Sequence, residues 1–200
     1  MNTYSKLTLA LLLLILIVPQ VVADEPPKDG PHVEYYENGK KKSEEHYKDG
    51  KLVSVSAWKP DGNPCPITKV VDGSGILVYW HENGQKFIET HYKDGKLDGL
   101  MTNWLENGRK RGESHFKNGK PDGLSTFWSY ENGQKSSEIH YKNGMLDGLW
   151  TGWHENGQKD EEGHWKNGEQ NGLWTYWHEN GKKKSEVQYK DGKEVSRKEF

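Results

Sequence analysis

Nine histidines are the first residues of this 200-residue chain to invite a chemical reading. Five follow a glutamate by two positions, at Glu44/His46, Glu89/His91, Glu113/His115, Glu138/His140 and Glu162/His164. Residues two apart on a β-strand share a face, so each pair has the make-up of an acid/base couple, and the imidazoles together have that of a metal centre. Spacing decides against the metal centre. Consecutive pairs on every second strand stand about 9.5 Å apart at a strand spacing of about 4.8 Å, whereas the ligands of one ion each approach it to about 2.0–2.2 Å. The sixth copy carries Gln188 in place of His and nothing compensates. Catalysis also needs asymmetry, one nucleophile and one base held by a third group. No unique Ser, Cys, His or Asp is so placed, and G-x-S-x-G, H-E-x-x-H and phosphate-cradling loops are absent from the sequence. The sequence predicts no catalytic residue, no metal and no cofactor, and the Glu-x-His ladder reads as cross-strand pairing in a repeated sheet.

The elements that position these residues repeat with them. "HENGQK" stands at 81–86 and 154–159, with "YENGKK" at 36–41, "LENGRK" at 105–110, "YENGQK" at 130–135 and "HENGKK" at 178–183. From Asn83 the Asn positions advance by 24, 25, 24 and 24 residues, but by 45 from Asn38 to Asn83, so one unit is missing or degraded near 53–75. Lys-Asp/Asn-Gly begins at Lys48, Lys93, Lys117, Lys142, Lys166 and Lys190, and Asp/Asn-Gly-Leu at Asp98, Asp122, Asp147 and Asn171. Self-similarity at such a period signals a repeat architecture.

Asn-Gly between strand-like runs signals a two-residue type I′ hairpin, because both residues tolerate positive φ. Asn83-Gly84, Asn107-Gly108, Asn132-Gly133, Asn156-Gly157 and Asn180-Gly181 are therefore predicted hairpin tips, within units of three glycine turns each. Closing Asn156-Gly157 this way sets Trp153 against Asp160, Thr151 against Glu162 and Leu149 against His164. Leu149, Thr151, Trp153, Glu162 and His164 then share one face, and Trp150, His154, Lys159 and Trp165 the other. The extra residue in "FWSYENG" (127–133) reads as a β-bulge near Trp128. After residue 30 no stretch sustains a helical apolar period, and Thr, Trp and Tyr favour a pleated surface. The predicted fold is all-β: an elongated, single-layer antiparallel meander of 24-residue hairpin repeats.

Aromatics keep the same beat. Trp80, Trp104, Trp128, Trp153 and Trp177 recur with the unit, and Tyr92, Phe116, Tyr141, Trp165 and Tyr189 recur between them. Packing on one another and on Leu100, Leu124, Leu149 and Leu173 accounts for most of these rings. A single layer cannot bury both faces, so part of the strip stays open. Trp80, Trp104, Trp128, Trp153, Trp177, Tyr92, Tyr141 and Trp165 are the candidate partner-binding residues.

Composition bounds the rest. A mean hydropathy of -1.05 rules out a thick core, while nine Trp and ten Tyr at regular intervals argue against disorder. A net charge of -2 makes neither nucleic acid nor an anionic membrane the natural electrostatic partner. The N-terminus differs: one lysine, the apolar run "LTLALLLLILIV" (7–18) and a Val-x-Ala site before Asp24 form the pattern of a secretory signal peptide. Residues 1–23 are read as that signal, 24–32 as a polar linker and 33–200 as repeats, degenerate over 53–75. Cleavage would leave no segment to span a membrane and an exported, periplasmic, envelope-associated or secreted chain. Cys65 is the one cysteine, so no internal disulfide forms; it reads as a tolerated loop residue, against an exposed thiol or a link between chains.

The unit "W-h-E-N-G-Q-K-x-x-E-x-H-Y-K-D-G-K-L-D-G-L" resembles the variant MORN repeat, in particular the bacterial YwqK family of antitoxin-like proteins, over 33–52 and 76–192. The resemblance implies an elongated twisted sheet acting as an interaction surface, with a toxin as one kind of partner and membrane-associated assembly as another setting. The expected function is a non-catalytic scaffold binding a protein in the cell envelope, of antitoxin or immunity type. A glycan- or wall-binding module is the alternative, because Trp/Tyr and Gly-rich repeats also occur in such domains.

Overall fold

The computed structural model describes residues 28–200, so the signal-peptide reading lies outside the described residues. The described chain is one antiparallel sheet of sixteen strands and has no helix. The strands are β1 Gly30–Tyr35, β2 Lys41–Lys48, β3 Lys51–Ala57, β4 Lys69–Val71, β5 Ser74–Trp80, β6 Lys86–Lys93, β7 Lys96–Leu97 and β8 Gly99–Trp104. They continue as β9 Lys110–Lys117, β10 Lys120–Trp128, β11 Lys135–Lys142, β12 Met145–Trp153, β13 Lys159–Lys166, β14 Glu169–Trp177, β15 Lys183–Lys190 and β16 Lys193–Glu199. Each pairs with the next in chain order, except that β6 pairs with both the two-residue β7 and β8. This is the meander the repeats predict. Pairing starts at Gly30, within the stretch read as linker.

The hexapeptides are hairpin tips, but not type I′ turns. The His154 carbonyl accepts from Gly157 N–H at 2.9 Å and His154 N–H donates to the Gln158 carbonyl at 2.8 Å. Gly157 alone takes positive φ, +82°, so the tip is a type I turn closed by a glycine bulge. The bulge changes the predicted register. Thr151 faces Glu162 and Leu149 faces His164 as expected, while Trp153 faces Lys159 instead of Asp160. Lys159 thereby joins the Trp153 face, where its Nζ lies 2.5 Å from Glu162.

The type I′ turn is found at the second marker. Asn143 and Gly144 both have positive φ, 51° and 88°, between the facing pair Lys142 and Met145. Asp-Gly-Leu, predicted as a third turn, is an irregularity inside a strand, with register shifts at Pro121/Ser125, Ile139/Tyr141 and Glu162/His164. Gly148 shows why this position excludes a side chain: its φ is +124° and a Cβ there would stand 2.8 Å from His140 Cβ.

One further expectation is corrected and one narrowed. Trp128 has the same register shift as Trp80, Trp104, Trp153 and Trp177, so the extra residue of this unit is not a bulge at Trp128. It is absorbed in the tip, where Ser129 N–H reaches Gln134 and Tyr130 projects at 72% exposure. Of the two readings of 53–75, missing or degraded, the second holds: the unit is shortened but present. Lys59 N–H donates to Asn63 and Gly62 N–H to Lys59, the bonding of a complete tip with Asp61 in the Asn place.

The two faces of the sheet differ. One carries Leu77, Tyr79, Ile88, Met101, Phe116, Ile139, Trp150, Trp174 and Val187, all buried, interleaved with buried Ser114, Ser125, Ser137 and Ser185. Small residues let rings lie flat across the strands: a Cβ on Gly163 would collide with the Trp174 ring at Cδ2. Burying side chains of this size contributes about 1.5–3 kcal/mol each, so this face is the core. The opposite face, the wet face below, carries the Lys, Glu, His and Leu positions, which are half-buried or exposed over most of the sheet.

Candidate functional site

The predicted partner-binding residues divide between these faces. Tyr92 packs against the aliphatic cluster of the first units, and Tyr141 and Trp165 against Ile139, Trp150 and Trp174. Trp80, Trp104, Trp128, Trp153 and Trp177 form a ladder on the wet face, each half-buried. Their rings are lidded by lysines of the preceding unit: Lys59 Nζ lies 4.6 Å from the Trp80 centroid, Lys86 5.3 Å from Trp104, Lys110 6.0 Å from Trp128, Lys135 5.9 Å from Trp153 and Lys159 5.8 Å from Trp177.

A rung of this face can be built from its residues. In the unit of Trp153, Lys135 Nζ donates to Glu138 Oε1 at 2.5 Å while sitting over the ring. Thr151, buried in the middle of the strand, donates to Glu162 Oε2 at 3.4 Å, and Glu162 is also the partner of Lys159. His140 Nδ1 lies 3.1 Å from the Leu149 carbonyl. A carbonyl only accepts, so Nδ1 carries the proton. His91 to Leu100 and His115 to Leu124 repeat the bond at 2.7 and 3.0 Å.

The tip histidines have a second role, His81 Nε2 lying 2.8 Å from the Trp104 carbonyl and His154 Nε2 3.1 Å from that of Trp177. These five histidines thus bond to neighbouring strands and units. Each rung is close to neutral, since every Lys has its Glu, and pairs this exposed contribute well under about 1 kcal/mol.

The tip asparagines, predicted as turn formers, also join units. Asn83 Oδ1 accepts from Gln85 N–H at 3.0 Å, and its Nδ2 donates to the Glu106 carbonyl of the next tip at 2.7 Å. Asn38, Asn132 and Asn156 make the same pair of bonds. At the other edge, Asp98, Asp122 and Asp147 of the Asp-Gly-Leu marker accept from the backbone of Asn118, Asn143 and Asn167 in the following turn. The sequence shows the period of these residues but not that their bonds cross from unit to unit.

Three features escape the sequence reading. Cys65 is no exposed loop residue: it is 4% exposed, with Thr68 Oγ1 and Trp80 Nε1 each 3.4 Å from its sulfur. Burial pushes the thiol up, and these donors with the Ile67 and Thr68 backbone outweigh burial and hold it below its usual range. Glu161 stands on the core face where other units carry Ser43, Ile88, Gly112, Ser137 and Ser185. Burial, with Asp160 nearby, pushes its carboxyl up to about 7 although Trp150 Nε1–H donates to it at 2.9 Å. Third, the wet face has exposed apolar positions at Leu149 and Leu173, beside the ladder rather than packed under it.

Among the described residues no group of three or more His, Cys, Asp or Glu is arranged to hold a metal ion. The comparison with curated proteins returned no match. The repeat family described as "MORN repeat variant" matches residues 28–49, 74–94, 123–143, 146–167 and 170–191. The structure adds two tips outside those matches, at 59–63 and 105–109. With more than half of its residues matched, the chain belongs to the MORN repeat variant family, whose repeats are generally non-catalytic modules that often bind partners.

Proposed function

We propose that the wet face docks a protein partner along several units and that the protein is an exported scaffold of antitoxin or immunity type. The observation carrying this reading is the tryptophan ladder, five half-buried rings repeated on one face, of which Trp104, Trp128, Trp153 and Trp177 stand clear of the buried clusters while Trp80 packs against the first. A core ring would be sealed and a random surface ring would not recur. Half-buried aromatics flanked by the exposed Leu149 and Leu173 provide the apolar centre of a protein interface, and the Lys–Glu pairs its polar rim. Near-neutral rungs favour neither a polyanion nor a polycation. Lysines over the rings disfavour sugar stacking, which needs the ring face the ammonium occupies. The N-terminal signal pattern supports a partner in the envelope or outside the cell, and a toxin met there is the partner the antitoxin-like resemblance suggests.

The test is affinity capture on the purified protein, offering solubilised envelope protein and wall polysaccharide separately, against a Trp128→Ala/Trp153→Ala variant. A stoichiometric protein retained by the parent and lost by the variant supports the reading. Retention of polysaccharide alone would replace it with the glycan-binding module, and a protein held equally by both would move the interface off the ladder.

A further inference from the structure

Six tips carry Asn-Gly in nearly the same turn, and the structure divides them into two classes. In all six the Asn Oδ1 accepts from the backbone N–H two residues on, at 2.9–3.0 Å. In all six the following glycine N–H donates back across the tip, at 2.8–3.0 Å. The difference is at Nδ2. Asn38, Asn83, Asn132 and Asn156 donate it to a carbonyl of the next tip at 3.0, 2.7, 2.6 and 2.6 Å. Among the described residues Asn107 and Asn180 have no such partner. At Asn107 the carbonyl it would use is taken: Arg109 Nη1 and Nη2 lie 3.4 Å from the Glu131 carbonyl, and Nη2 donates to that of Tyr130 at 2.6 Å.

We propose that Asn107 and Asn180 are modification sites, deamidating through a cyclic imide ahead of the four linked tips. The glycine backbone nitrogen, having given its proton to solvent base, attacks the Asn Cγ. The new C–N bond closes a succinimide, the Cγ–Nδ2 bond breaks and ammonia leaves. Water then opens either imide carbonyl, giving aspartate or isoaspartate with no change of oxidation state. Ring closure requires the amide to rotate from its resting position, and a linked tip must break its Nδ2 bond first. A hydrogen bond of ordinary net strength converts to about a two- to tenfold slower rate. All six asparagines are exposed, so water reaches each alike.

The chain contains a natural model of the product. Asp61 holds the Asn place of its tip, and its carboxylate keeps the turn by accepting from Asn63 N–H at 2.8 Å. It has no Nδ2 to donate onward, and Glu82 of the following tip instead accepts from Glu37 N–H, two tips back, at 2.9 Å. A tip deamidated to aspartate thus keeps its turn and loses its link, whereas isoaspartate also lengthens the backbone of the turn.

The experiment incubates the full chain in warm, mildly alkaline buffer and follows the acid product at each tip by peptide mass mapping. Asn107 and Asn180 are expected to lead the other four by about two- to tenfold. Equal rates at all six, or a linked tip in the lead, would overturn the proposal. Arg109→Ala supplies a second reading, because it frees the Glu131 carbonyl for Asn107. Asn107 should then slow towards the linked tips while Asn180 is unchanged, whereas general loosening would speed both. An unchanged or faster Asn107 in Arg109→Ala overturns the role given to the link.

Discussion

The first units and the last build the same sheet from different cores. From β3 to β9 the buried cluster is mainly aliphatic, with Leu52, Val55, Val70, Leu77, Val78, Ile88, Leu97 and Met101. The short β4 and the segment before it close over that region, Thr68 Oγ1 bonding both the N–H and the carbonyl of Val78, which is fully buried. From β10 to β15 no segment among the described residues closes over the sheet, and the core is rings laid over small residues, Trp150 and Trp174 beside Trp165, Tyr176 and Tyr189. Trp174 meets Trp165 edge-on at 5.5 Å and stacks near Tyr176 at 6.3 Å. A thin repeat sheet can therefore be stabilised in two ways: by chain folded over it, at the expense of regularity, or by aromatics that span neighbouring strands and preserve the period.

Glycine substitutions should expose this contrast most strongly. A Cβ on Gly75 in the first region would collide with the Lys69 carbonyl, and φ there is +140°. Backbone cannot yield as a side chain does, so Gly75→Ala should cost more than about 3 kcal/mol or prevent folding. A Cβ on Gly163 collides with the Trp174 ring instead, which can tilt, and about 1–3 kcal/mol is expected. Chemical denaturation of the two variants checks the ranking.

The aromatic region also carries a pH dependence. Glu161 is pushed up to about 7 from an ordinary 4.5, so the native state holds its proton more tightly than the unfolded chain. The stability this group contributes should be full below the ordinary carboxylate range and be lost as pH rises through about 7, a loss of at most about 3 kcal/mol. Glu161→Gln should flatten that part of the profile, and an unchanged profile would show that another group sets it. The smallest effect is expected on the wet face: Lys135→Ala removes an exposed pair and a ring lid and should shift stability by about 0.5 kcal/mol or less, read from the same denaturation curves.

What the sequence shows and hides follows from the kind of information each feature needs. The hairpins, the repeat period and the shared face of Leu149, Thr151, Glu162 and His164 follow from alternation and glycine spacing, which are local. The type of the Asn156-Gly157 turn does not, because Asn-Gly is compatible with both a type I′ turn and a type I turn with a glycine bulge. The Asp-Gly-Leu marker looks like a turn for the same reason, yet Gly148 is there to admit His140 of the adjacent strand. The Asp61-Gly62 turn is legible but the register around it is not, because the hexapeptide reads Lys-Pro-Asp-Gly-Asn-Pro and the next strand has shrunk to three residues. Of the candidate site, the periodic rings were legible. Their division between two faces was legible as well, Trp153 opposite Trp150 and Trp165; which face is sealed as the core was not, and the tip bulge adds Lys159 to the Trp153 face.

The most direct test of that division compares Trp174 and Trp177, three residues apart on β14 and on opposite faces. Thermal unfolding of Trp174→Ala should show a loss equivalent to about 3–5 kcal/mol, and that of Trp177→Ala about 1 kcal/mol or less. Equal losses would mean that the tryptophan ladder is itself core, leaving no distinct face for a partner to read.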